Sequence, residues 1–155
     1  MKSYTRLKFA CYTTNLTMSV VGNLPPLLFL TFRTMYGLSY SFLGLLILIN
    51  FSTQLTVDLI FSFFSHRFSI PKAVRMTPVI AVAGLTFYAL MPYFFPTLAV
   101  LWLVTGTVIF SAASGLCEVL ISPVIAAIPA DNPEREMSKL HSAYAWGCVL
   151  IVAFC

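Results

Sequence analysis

The chain has 155 residues, of which 59% are hydrophobic and 9% charged, and its mean hydropathy is +0.92; a soluble domain carries about 25% charged residues. The formal net charge of +4 comes from basic residues scattered between apolar runs, which excludes a basic nucleic-acid-binding face and makes the lipid bilayer the surroundings of an integral membrane protein. Cys11, Cys117, Cys148 and Cys155 fall in apolar segments without metal-ligand or redox spacing, so they read as small buried hydrophobes, with no metal and no cofactor expected.

The N-terminus places Lys2, Arg6 and Lys8 ahead of an uncharged run of 24 residues from Phe9 to Phe32. A secretory signal core covers only about 7–15 residues, and this run is interrupted by Asn15, Asn23 and Pro25-Pro26, so it reads as an uncleaved membrane helix. A spanning helix needs about 20 apolar residues. Five candidates follow in order, near 9–32, 41–65, 75–95, 97–127 and 138–155, predicting an all-α, polytopic membrane helical bundle. Strands are excluded because the segments are too long and lack alternation. The third and fourth helices are joined by the charge-free turn Met91 to Thr97, where Pro92 and Pro96 interrupt helical hydrogen bonding. The fifth runs apolar from Leu140 to Cys155 without a polar flank. That pattern is expected of a fragment truncated in its fifth helix, the alternative being a complete five-helix protein.

Eight of the nine basic residues lie in the N-terminus, the second connection (Arg67, Lys72, Arg75) or the fourth (Arg135, Lys139), and only Arg33 lies in the first. The positive-inside rule then predicts a cytoplasmic N-terminus, with the plasma (inner) membrane as the expected location.

Polar residues inside the helices are the candidate functional groups. The first helix holds Asn15, Ser19 and Asn23 on one side, and the second holds Asn50, Gln54 and Asp58 at i, i+4 spacing. The alternative for Asp58, near a helix end, is pairing with Arg67 or Arg75. The fourth helix carries Thr107, Ser111, Ser114, Glu118 and Ser122, spaced to share one face. Its hydroxyls could equally bond their own i−4 carbonyls or pack helices closely. Glu118 is different. No charge occurs from Met76 to Cys117 or between Glu118 and Asp131, and a lone acid at membrane depth costs on the order of 2.5–3.5 kcal/mol, so it needs a partner or a water-filled cavity. His141 opens the fifth helix, either as an interfacial anchor or as a gating or proton-linked group. No Ser/His/Asp set, HExxH or phosphate-binding glycine loop is present, so no enzymatic chemistry is expected.

The stretch Gly115 to Pro123, then Asp131-Asn132-Pro133 and Leu140 to Gly147, resembles the fourth and fifth helices of sugar-type major facilitator superfamily transporters, most closely the fucose permease group. There a membrane glutamate is followed four and five residues on by Asn-Pro; here Glu118 is followed by Ser122-Pro123. The resemblance implies for Glu118 a part in proton-coupled sugar uptake. The connection Ser62 to Lys72 lies where the superfamily has its gating-loop signature, keeping Arg67 and Lys72 but with His66 at the acidic position and Ser69 at the second glycine. The family's first-helix acid has no counterpart between residues 9 and 32.

The resemblance implies the incomplete N-terminal half of a carrier built from two halves of about six helices each, working by alternating access around a midplane site. The expected partners are a small polar, sugar-like solute, protons, and the missing C-terminal helices of the parent protein. The competing expectation is a non-transporting membrane protein or assembly subunit whose polar stripes bind partner helices.

Overall fold

The computed structural model describes residues 2–64 and 67–154 and is an all-α bundle. Its helices are α1 (Lys2–Leu27), α2 (Phe29–Tyr36), α3 (Tyr40–Phe64), α4 (Ile70–Phe94), α5 (Ala99–Ala127) and α6 (Pro133–Phe154), and no strand occurs among the described residues. α1 and α2 together make the first span and α3 to α6 four more, giving five segments long and apolar enough to cross a membrane. The protein is therefore a multi-pass integral membrane protein.

Several ends lie outside the expected ranges. α1 begins at Lys2 rather than near residue 9, because the basic lead is itself helical. α6 begins at Pro133 rather than near 138, since proline suits the first helical position, where its missing N–H is not needed. Pro25 and Pro26 shape the far end of the first span. Neither can donate to the carbonyl four residues earlier, at Val21 or Gly22, and the helix gives way at Leu28, whose N–H reaches the Leu24 and Pro25 carbonyls at 3.3 and 3.1 Å. α2 then stops at Gly37, in the left-handed conformation with φ 64°, which glycine adopts without steric cost.

α5 is the hub, packing against α1, α3, α4 and α6. Its closest neighbour is the antiparallel α4, reached through a 3-10 turn at Pro96–Leu98. A methyl group on Gly84 would overlap the Phe110 backbone, and one on Gly106 would lie 2.6 Å from the Tyr88 nitrogen. Two glycines thus let the backbones meet, the small-residue contact that replaces hydrophobic driving force between helices in lipid. Around this crossing the Tyr88 ring stands edge-on to Phe32 and Phe110, with centroids 5.2 and 5.6 Å away.

α3 runs parallel to α5, and α1 runs parallel to α6, as the contacts described below show. One apolar cluster gathers Met18, Ala113, Cys117, Ile121 and Leu140, and a second gathers Phe32, Leu46, Tyr88, Leu103 and Phe110 towards the Pro25-Pro26 end. Leu48, Leu55 and Val82 stay exposed on the outer faces, as apolar solvent permits.

Candidate functional site

On α1, the residues Lys8, Tyr12, Asn15, Ser19 and Asn23 share one face, and α6 takes up most of their bonding capacity. The Tyr12 hydroxyl donates to Glu136 at 2.5 Å, the Asn15 amide to the Leu140 carbonyl at 2.9 Å, and the Asn23 amide to the Cys148 sulfur at 3.2 Å as well as to the Ser19 carbonyl. Ser19 is fully buried, donates to the Leu16 carbonyl at 2.7 Å, and lies where any side chain on Gly147 would have to go. Asn15 and Asn23, both candidate solute ligands from sequence, are thus engaged in joining two helices. Cys11 and Cys117 are buried and Cys148 half-buried, all as free thiols; Cys155 lies outside the described residues.

On α3, Asn50 is the junction. Its Oδ1 accepts from Ser111 on α5 at 2.5 Å and from Gln54 Nε2 at 2.9 Å, while the Gln54 backbone passes Gly115 so closely that an added methyl would sit 3.2 Å away. Asn50, Gln54 and Asp58 are all half-buried. One Asp58 carboxylate oxygen, Oδ1, is buried without a hydrogen-bond partner among the described residues. The alternative pairing of Asp58 with Arg67 or Arg75 is not formed, since both ion pairs among the described residues converge on Glu136.

The α5 stripe divides. Thr107 and Ser111 are buried; Thr107 donates to its own i−4 carbonyl at Leu103, 2.7 Å away, and Ser111 faces Asn50. Ser114, Glu118 and Ser122, in contrast, open onto a cavity of ≈ 130 Å³ between α1, α5 and α6, shared with Asn15, His141 and Tyr144. Glu118 is exposed there and joins no ion pair among the described residues. The cavity therefore holds one carboxylate, one imidazole, two hydroxyls from α5 and a phenol, on walls that place Met18, Cys117 and Leu140 behind them. Such a group can bind a proton or accept hydrogen bonds from a hydroxylated molecule.

Arg67 and Lys72, the candidate gating-loop residues, are exposed. Arg67 lies over the Phe64 ring at 5.8 Å, and the Lys72 N–H closes a turn onto the Ser69 carbonyl at 3.0 Å. His66 lies outside the described residues.

Sequence reasoning missed Glu136. Lys8 approaches it at 3.3 Å and Lys139 at 2.8 Å, so with Tyr12 three side chains from two helices meet on one carboxylate. An acid in the first turn of a helix is ordinary as a complement to the helix dipole, and the available signal was the i, i+4 placement of Lys8 and Tyr12. Tyr88 was missed too. Its hydroxyl is buried without a partner among the described residues, and nothing in an apolar α4 sequence marks it out.

Compared with known protein families, with curated proteins and with solved structures, the chain finds no match. The likeness to major facilitator carriers thus rests on the residues quoted from the sequence.

Proposed function

We propose that the protein is part of a secondary active transporter for a small polar, sugar-like solute, with Glu118 as the group that takes up the coupling proton or binds the solute's hydroxyls. The observation that carries this reading is Glu118 itself. An acid on a membrane-spanning helix, without an ion pair among the described residues and opening onto a cavity beside His141, Ser114 and Ser122, is the usual mark of a proton or solute pathway. The resemblance around Gly115 to Pro123 supports the same role, with the chain as the N-terminal half of a major facilitator carrier, whose alternating access calls on a second half. In this reading the basic end of the bundle faces the cytoplasm across the plasma membrane. A single cysteine placed at Ser69 on a cysteine-free background should resist an impermeant reagent added to sealed cells, and efficient labelling would reverse the orientation.

The deciding experiment is Glu118→Gln in proteoliposomes containing the full-length protein. Glutamine keeps the size and hydrogen-bonding capacity of the side chain but cannot ionise. A proton carrier then loses uphill, pH-driven uptake while retaining exchange; a solute ligand instead loses affinity without uncoupling. Parental behaviour in both assays would leave Glu118 without a transport role.

A second reading, in which the polar stripes only join helices, is favoured by the α1 stripe, whose Tyr12, Asn15 and Asn23 bond to α6. It accounts for α1 and for Asn50 and Ser111. It leaves Glu118 unexplained.

A further inference from the structure

α3 and α5 each carry a single acid, Asp58 and Glu118. The contacts between the two helices set the relative depth of these acids. Asn50 meets Ser111 and the Gln54 backbone passes Gly115, both pairs 61 residues apart in the chain, so one further turn of the parallel helices brings Asp58 level with Val119 and the adjoining Glu118. The two acids thus stand at one depth on different sides of α5. Glu118 opens onto the cavity between α1, α5 and α6, which no residue of α3 lines. Asp58 is held differently: its Oδ1 is buried with no hydrogen-bond partner among the described residues. α5 is the helix against which α3 packs, and at this level it offers the apolar Val119; its titratable groups there, Cys117 and Glu118, both line the other cavity. The charged groups that follow α3, namely Arg67, Lys72 and Arg75, are exposed and join no ion pair among the described residues.

We infer that Asp58 is a second proton-binding group of the bundle, holding a proton in this structure and exchanging it for the guanidinium of Arg67 when it ionises. A carboxylate oxygen enclosed without a donor is costly, more so when it bears charge, and the hydrocarbon around a spanning helix supplies no donor. A proton removes that charge. Once the proton leaves, a carboxylate at membrane depth requires a counter-charge. Arg67 is the basic residue next along the chain, and it rests only over the Phe64 ring, 5.8 Å from the centroid, at the end of α3. Its long side chain can reach back along the helix from there. Proton and guanidinium are then alternative partners of one carboxyl group, and the second draws the α3–α4 connection onto the end of α3. The site is separate from the Glu118 cavity and stands whether or not the protein is a carrier.

The test is infrared spectroscopy of the full-length protein in nanodiscs, reading the C=O stretch of protonated carboxylic acids, with isotope-labelled aspartate to separate Asp from Glu. At neutral pH, wild type and Glu118→Gln should both show an aspartate-labelled band that Asp58→Asn lacks; asparagine keeps the size of the side chain but cannot ionise. Raising the pH should remove the band from wild type, and in Arg67→Gln it should survive to higher pH, because the cation that favours the ionised form is gone. Should Asp58→Asn fail to fold, Asp58→Glu takes its place, and the band should then follow labelled glutamate instead of aspartate. An Asp58 without a protonated band at neutral pH would overturn the proton site. The same pH dependence in Arg67→Gln as in wild type would overturn the exchange with Arg67. Neither result bears on the carrier reading, which the uptake assay of Glu118→Gln decides.

Discussion

α1 and α5 carry polar side chains at the same spacing, Lys8, Tyr12, Asn15, Ser19 and Asn23 on one and Thr107, Ser111, Ser114, Glu118 and Ser122 on the other, yet they use them differently. On α1 the stripe meets α6 along most of its length, and hydrogen bonds consume it. On α5 the first two members are buried and the last three open onto the cavity. The periodicity says which residues share a face. What the face meets depends on how closely the neighbour approaches: Gly147 lets α6 close on Ser19, whereas α1 and α6 together leave room beside Glu118. A stripe can thus be adhesive on one helix and open onto a cavity on the next with no difference in pattern.

Stability measurements on the detergent-solubilised protein would break or sharpen this contrast. The largest effect is expected from Gly147→Val, which forces a branched side chain into the space of Ser19 and the Leu16 carbonyl; such overpacking costs about 1–3 kcal/mol, read as a lower midpoint in denaturant unfolding. Asn50→Leu comes next, removing the acceptor shared by Ser111 and Gln54, at about 0.6–2 kcal/mol for an interhelical hydrogen bond in a membrane bundle. A double-mutant cycle with Ser111→Ala should show coupling between the two positions.

Glu136→Gln should cost less than either, and its effect should fade as salt rises, because Lys8 and Lys139 reach Glu136 from partly exposed positions and screening weakens such pairs. A salt-independent loss would mean that the Tyr12 hydrogen bond dominates. Glu118→Gln is expected to change stability least, by no more than about 0.5 kcal/mol, as for a side chain without side-chain bonds among the described residues. A loss as large as that of Asn50→Leu would show Glu118 to be tied into the bundle, and the contrast between the two stripes would collapse.

The number and order of the spans were legible because twenty-residue apolar runs have few other uses, and the prolines at 25–26 and 92–96 marked where helices give way. Their ends were less so: the basic lead before Phe9 looks like a segment outside the membrane, yet it continues α1, since long side chains such as those of Arg6 and Lys8 can reach the interface from a helix. For the site, the isolation of Glu118 in an apolar segment was enough to single it out. The fates of Asn15 and Asn23 were not readable, because an amide facing a solute and an amide facing the Leu140 carbonyl leave the same mark on a helical wheel. Tyr88 illustrates the opposite limit. Its hydroxyl, without a partner among the described residues, is buried beside the Gly84–Gly106 crossing, which brings together positions 22 residues apart in the chain.

Gly84 and Gly106 also bear on how the chain enters the bilayer. In the orientation proposed above, the segment between α4 and α5 that crosses to the far side, Phe95 to Leu98, contains no charge, so its translocation carries no ionic penalty. With flanking helices already notched for close approach, α4 and α5 can leave the insertion machinery as a preformed hairpin rather than as two helices that search for each other in lipid. Replacing Gly84 or Gly106 with a bulky residue would then show its first defect during synthesis, as a hairpin that stalls or is degraded, before any mature bundle exists to be destabilised.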